Sequence, residues 1–330
     1  MKAYKQFFGV DISKKTIDVT LLQNNQNLHH QFSNDETGMQ QLLSWLQELK
    51  IKPADTLFCM EATGLYCFML TQFLVDNEID TWIEHAALIK KATPLARGKN
   101  DKVDSLRIAT YASKNLERLR LWKPISSALD KIKHLATLRE RIVETQKKLL
   151  VPIKEFEDVG NTAMAKMLTK TIKKSITALE ADLKDIEKQI LKIIEEDTTL
   201  TKKYNNAISV VGIGFVTAIN LMVHTNGFTQ MNDVRKLACY CGVAPFEYSS
   251  GSSIRGKTKV HFMANKKLKS NLHMASLTAI KLDDDIKRYY ERKCAEGKNK
   301  MSVLNAVRNK LLARVLACVN NDRVYVNKAA

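Results

Sequence analysis

At 330 residues the chain has room for about two domains, and a hydrophobic fraction of 45% supplies a sizeable core. Against 35 acids stand 52 lysines and arginines, a net charge of +17, which suits a polyanionic partner, nucleic acid foremost. The six cysteines (59, 67, 239, 241, 294 and 318) form no CxxC pair, which argues against a zinc site or a disulfide framework. No apolar run approaches the length that spans a bilayer, and no signal-type region precedes the first strand, so the chain reads as soluble and intracellular.

Phe7 to Ile12 is a short apolar run carrying one acid, Asp11, and Ser13-Lys14-Lys15 bounds it as a strand entering a hairpin. Ile17, Val19 and Leu21 alternate in a second strand, and Leu28 to Phe32 form a third. Thr37 to Gln40 has capping-box form before Met39, Leu42, Leu43, Leu46 and Leu49 at helical spacing. Thr56 to Met60 is a strand ending at Glu61, a helix runs from Leu65 to Val75, and Thr81 to Glu84 is a further strand. A last helix opens at Asn100 and runs toward Ser113. This order, β-β-β-α-β-α-β-α, predicts a mixed sheet with helices on both faces, closed by Pro124.

Beyond Pro124 the composition changes. Leu129, Ile132, Leu135, Leu138 and Ile142 form an apolar stripe on a helix predicted to end at Pro152. Ile172, Ile176, Leu179, Leu183, Ile186, Ile190 and Ile193 then alternate steps of four and three, a heptad seam. The two helices fit an antiparallel arm or a pairing between subunits. From Ile208 to Ala218, with Gly212 and Gly214 at its centre, the pattern resembles a helix-hairpin-helix turn whose amides approach a phosphate. Next comes a polar loop around Ser249-Ser250-Gly251-Ser252-Ser253, by default a flexible linker. Between Gly251 and Leu282 there is no acid, but Arg255, Lys257, Lys259, Lys266, Lys267, Lys269 and Lys281 all fall there, a candidate phosphate-binding surface. Ser302 to Val319 reads as a helix with Leu304, Val307, Leu311, Leu312 and Val315 inward.

Four acids carry the chemistry. In a fold of this order the first and fourth strands can lie side by side, which brings Asp11 near Glu61. Asp101 and Asp104, three apart, share one helix face among Lys90, Lys91, Arg97, Lys99, Lys102 and Arg107. Gathered carboxylates repel, and a divalent cation resolves the repulsion; oxygen ligands favour Mg²⁺ or Mn²⁺ over zinc. Two such ions suit phosphodiester cleavage. Taken alone, Asp101 and Asp104 also fit acids favoured by the helix dipole.

Gly9-Val10-Asp11, Met60-Glu61-Ala62-Thr63-Gly64, Asn100-Asp101 to Asp104 and Ser250-Gly251-Ser252-Ser253-Ile254-Arg255-Gly256 together resemble the insertion-sequence 110 family of DEDD transposases, in order and over nearly the whole chain. The resemblance implies an α/β plus α protein: a RuvC-like (RNase H fold) domain over 1–124, an antiparallel coiled-coil arm over 125–200 and a mainly helical C-terminal transposase domain over 201–330. It implies Mg²⁺ at Asp11, Glu61, Asp101 and Asp104, and Ser250 as nucleophile on the DNA phosphate. It further implies donor and target DNA, a bridge RNA that pairs with both, self-association to a dimer and an active tetramer, and a bacterial, nucleoid-associated location without a membrane. Phe246, Glu247 and Ser249 stand where the family often has a basic residue or a glutamine, which leaves Ser249 as a rival nucleophile. Ala264-Asn265 and Lys269 replace a common glycine and arginine. The alternatives are a RuvC-like junction-resolving nuclease that uses water, and a non-enzymatic nucleic-acid scaffold.

Overall fold

The structure, a computed structural model, describes residues 2–23, 26–92, 100–250 and 254–326. The chain divides into two compact units, 1–124 and 125–330. No helix among the described residues is long and apolar enough to cross a membrane.

The first unit is built on five strands: β1 (Gln6–Ile12), β2 (Thr16–Gln23), β3 (Gln26–Ser33), β4 (Thr56–Glu61) and β5 (Asp80–Glu84). Their order is β3-β2-β1-β4-β5, with the first three antiparallel and β1, β4 and β5 parallel. Because side chains alternate across a strand, Phe8, Val10, Ile17, Val19, Phe58 and Met60 face one side. There they form a core with α1 (Glu36–Glu48) and α2 (Phe68–Asp76). The opposite face carries Leu57, Cys59 and Trp82, which pack on α3 (Ala86–Ala92) and α4 (Asp101–Lys114). The expected mixed sheet with helices on both faces is therefore present. The cap of α1 is not the expected Thr37 to Gln40 box: Asp35 is the N-cap, its carboxylate accepting from the Gly38 amide at 2.9 Å.

The second unit opens with two long helices, α5 (Ser127–Asp158) and α6 (Thr162–Glu195), which return on each other as a hairpin. Pro152 does not end α5, which continues to Asp158. The apolar stripe of α5 is uneven, since Leu129 and Ile132 are buried while Leu138 is 46% exposed. On α6, burial reaches Ile186 and Ile190 and then passes to Ile194 rather than Ile193. These residues join a single core with α7 (Thr198–Ile208), α8 (Phe215–His224), α9 (Val234–Tyr240), α10 (Lys266–Leu282), α11 (Asp284–Ala295) and α12 (Lys300–Asn320). Leu304, Val307, Leu311, Leu312 and Val315 of α12 are buried, as their spacing predicts. The serine-rich stretch is not simply a loop: β6 (Phe246–Ser250) pairs antiparallel with β7 (Ile254–Lys259), with Ser249 opposite Arg255 and Ser250 opposite Ile254.

Candidate active site

The α4 face of the sheet is organised in rows. Parallel and antiparallel pairing aligns Thr20, Gly9, Cys59 and Trp82 in one row. Two residues further toward the C-terminal end of β1 the pairing aligns Asp18 with Asp11 and Glu61 with Glu84, and the β1–β4 register, paired as far as Val10 and Met60, brings Asp11 and Glu61 in as the next residues of their strands. Four adjacent strands thus each contribute a carboxylate to one line. The sheet places Asp11 beside Glu61 as expected, and it adds Asp18 and Glu84.

Helix α4 supplies the other two acids. At Gly9 an added Cβ would overlap the Ser105 carbonyl oxygen and the Ala109 amide nitrogen, so the helix backbone rests directly on β1. The Ser105 hydroxyl also meets Thr20 Oγ1 at 2.7 Å, pinning α4 across β1 and β2. Asp101 and Asp104 lie in the first turn, capped by Asn100, whose side chain accepts from the Val103 amide at 2.8 Å. One helical turn rises about 5.4 Å, close to two residues of strand. Ser105 stands over Gly9, and the start of α4 is near enough to Asp11 for the charges of Asp101 and Asp104 to act on it.

The electrostatics follow from this convergence. Burial pushes the Asp11 carboxyl up to about 6, with the charges of Asp101, Asp104, Glu61 and Asp18 adding to it. Three of the acids have partners. His29 Nε2 and the Gln31 amide each lie 2.9 Å from the Asp18 carboxylate, which is 4% exposed. Tyr111 donates to Glu84 at 3.1 Å, and burial with that carboxylate raises the phenol to about 12. Arg107 pairs with Asp104 at 2.7 Å. Among the described residues no three acids converge closely enough to ligate a metal as they stand. The donors are nonetheless all oxygen, the ligand type that suits Mg²⁺, and Asp11 is raised first by burial and then by the neighbouring carboxylates.

The other expected residues belong to the second unit. Ser250 ends β6, and the side chains of Ser249, Ser250, Arg255 and Lys257 lie outside the described set, as do residues 251–253 and, in the first unit, Arg97 and Lys99. Lys259 and Lys266 are exposed. Lys267 instead spends its charge on Glu140 at 2.7 Å, and Lys269 is half-buried at the start of α10. Sequence reasoning missed Asp18 and Glu84; the signal available was their even spacing along strands whose partners carry Asp11 and Glu61.

Six acids thus stand at one end of the sheet, in a chain with a net charge of +17. A DEDD transposase model of the IS110 type matches residues 8–156, and a second model, described as transposase of the IS116/IS110/IS902 family, matches 204–291. The pilin gene-inverting protein of Moraxella bovis is 26% identical over 324 residues, covering 97% of this chain and 98% of that protein. The pilin gene-inverting protein of Moraxella lacunata is similar to the same extent. An insertion element IS110 protein of Streptomyces coelicolor, uncharacterized and of 43.6 kDa, is 25% identical over 173 residues, 52% of this chain and 41% of that one. The chain belongs to the IS110 family of transposases, and its activity is that of a DNA recombinase.

Proposed function

We propose that the chain cuts and rejoins DNA through a serine–phosphate ester at a Mg²⁺-dependent site. The observation that carries this is the acidic row of β1, β2, β4 and β5 beneath Asp101 and Asp104. The strand order, an antiparallel meander followed by two parallel strands, supports reading the first unit as RuvC-like. Asp11, Glu61, Asp101 and Asp104 would hold the ion, which when bound offsets the charge of the acids and of the phosphate undergoing exchange. Asp18, already engaged by His29 and Gln31, keeps its carboxylate in the row and would position Asp11.

The Ser250 hydroxyl would attack the scissile phosphorus. The new Oγ–P bond replaces the P–O3′ bond, the serine proton leaves to a base, and the departing 3′ oxygen takes up a proton. Attack of a free 3′-hydroxyl on the ester reverses the step on a new strand and restores the serine. Each transesterification conserves the number of phosphoester bonds, so no nucleotide cofactor is needed. Resemblance to the family supports guidance by a bridge RNA, and the excess positive charge fits a complex of RNA with donor and target DNA. Half-buried Ile172, Ile176 and Leu179 on α6 support pairing of a coiled-coil arm between subunits, up to a tetramer.

The test is to trap the adduct. Incubated with Mg²⁺, guide RNA and labelled DNA, the wild-type chain should carry a strand through denaturing electrophoresis, and Ser250→Ala should not. An adduct that persists in Ser250→Ala, and disappears in Ser249→Ala, moves the nucleophile by one residue. Cleavage with no adduct in the wild type replaces serine attack with hydrolysis by water.

A further inference from the structure

In the second unit a cleft of 340 Å³ opens between α5, α8 and α10, within the range of small-ligand sites, about 300–1,000 Å³. Phe215, Val216, Ile219 and Asn220 line it, at helical positions i, i+1, i+4 and i+5, so one face of α8 forms the wall. Asn220 is only 4% exposed, and among the described residues its carboxamide makes no hydrogen bond although it borders the cleft. The Asn271 amide nitrogen, on α10 and also in the lining, is buried without a partner. A buried amide nitrogen costs free energy when unpaired, and with the Asn220 carboxamide bordering the same cleft it points to an occupant that offers both donors and acceptors.

The rest of the lining narrows the chemistry. Phe215, Val216 and Ile219 give it an apolar wall that includes one aromatic ring. The charges are mixed: Lys267 is matched by Glu140 and Arg139 by Glu187, while Lys147 and Glu144 stand at the same rim. Such a balance disfavours a bare anion inside and suits a neutral, planar, amphoteric group. Immediately before Phe215, which lines the cleft, α8 begins at Gly214 with no side chain capping its first amides, and a Cβ added there would meet nothing within 4 Å. Open amides at a helix start receive a phosphate. From Phe215 to Asn220 the helix rises about 7.5 Å, the reach of one nucleotide from its phosphate to the edge of its base.

We propose that this cleft holds a single unstacked nucleobase of the bound nucleic acid. The phosphate rests on the open turn of α8, Phe215 lies against the base, and Asn220 and Asn271 read its edge. Carboxamides pair with adenine through its amino group and ring nitrogen, and aromatic side chains stack any unpaired base. The proposal rests on the chain being a nucleic-acid enzyme, but not on the serine or the metal.

The experiment measures binding of the full chain to fluorescent 12-nucleotide oligoadenylate and to the same backbone without bases, in EDTA, with deoxyribose and ribose arms to identify which strand occupies the cleft. Wild type should bind the base-bearing strand more tightly. Asn220→Leu, of similar volume, should lower that preference about tenfold while leaving affinity for the abasic strand unchanged. Val216→Trp, at an exposed position filling the mouth, should do the same, and it carries the test if Asn220→Leu melts at a lower temperature. A preference that survives Val216→Trp, or an Asn220→Leu loss equal on both strands, overturns the proposal. Adduct trapping separates the two readings: base preference without an adduct sinks serine chemistry alone, and an adduct without base preference sinks the cleft alone.

Discussion

Gly9 lies against the backbone of Ser105 so closely that no side chain fits between β1 and α4. The glycine is thus the bearing on which the Asp101–Asp104 turn is set over Asp11. Gly9→Ala should force α4 away, because the obstruction is backbone rather than a mobile side chain, at a cost of roughly 1–3 kcal/mol or more. Thermal unfolding should show the loss, and strand cleavage should fall further than stability does, since the acids separate before the sheet unfolds. An alanine variant that melts with the wild type would show that α4 tolerates the shift.

Asp11 gives the fold a pH dependence whose sign is fixed by burial. Its folded-state value, about 6, lies above the ordinary 3.8, so ionisation costs the native state. The contribution to stability is fully present below the lower value and is lost as pH rises through the upper one. Asp11→Asn should therefore unfold at a higher temperature than wild type above about pH 7, with the difference closing toward about pH 4. The same variant should not cleave DNA. A gap that does not change with pH would mean that Asp11 does not titrate as its surroundings require.

Much of this arrangement was legible because strands announce themselves by alternation. Asp11 interrupts one apolar run and Glu61 ends another, and placing the first and fourth strands side by side was enough to bring them near each other. Asp18 and Glu84 were missed because a carboxylate in a polar-looking register draws no notice until the partner strand is known; their row exists only through pairing. Pro152 misled for the opposite reason, since a proline signals a break but α5 absorbs it within a long packed hairpin. The paired strands β6 and β7 were hidden by composition: Ser-Ser-Gly-Ser-Ser has no apolar alternation, and its pairing comes from flanking residues such as Phe246 opposite Lys259.

The start of α1 shows how local competition decides a cap. Thr37 begins a box by spelling, yet Asp35 holds the Gly38 amide and accepts from the Ser33 hydroxyl at 2.6 Å. Those bonds hold its carboxyl below the usual range, in keeping with a charge favoured at a helix start. Asp35→Ala should lower stability through loss of the cap, and Thr37→Ala much less. Chemical denaturation of the two variants checks the order, and DNA cleavage should be unchanged in both. A larger loss at Thr37 would return the cap to the box.

Magnesium offers the sharpest distinction between an enzyme and a scaffold. An ion bound only by the folded chain raises its stability by an amount set by concentration over affinity, about 2.7 kcal/mol at a hundredfold excess. Wild type should therefore melt higher as Mg²⁺ is added, and EDTA should reverse the shift. Changing Asp101 and Asp104 together to alanine removes two first-turn acids from α4, a loss of about 0.3–1 kcal/mol each from the helix dipole, so the variant remains folded. It should lose the Mg²⁺-dependent rise and the ability to cut while still retarding DNA in a gel, because phosphate contacts depend on lysine and arginine rather than on these acids. A wild-type chain whose melting ignores Mg²⁺ and which never cuts would leave the acidic row as a structural feature of a nucleic-acid scaffold.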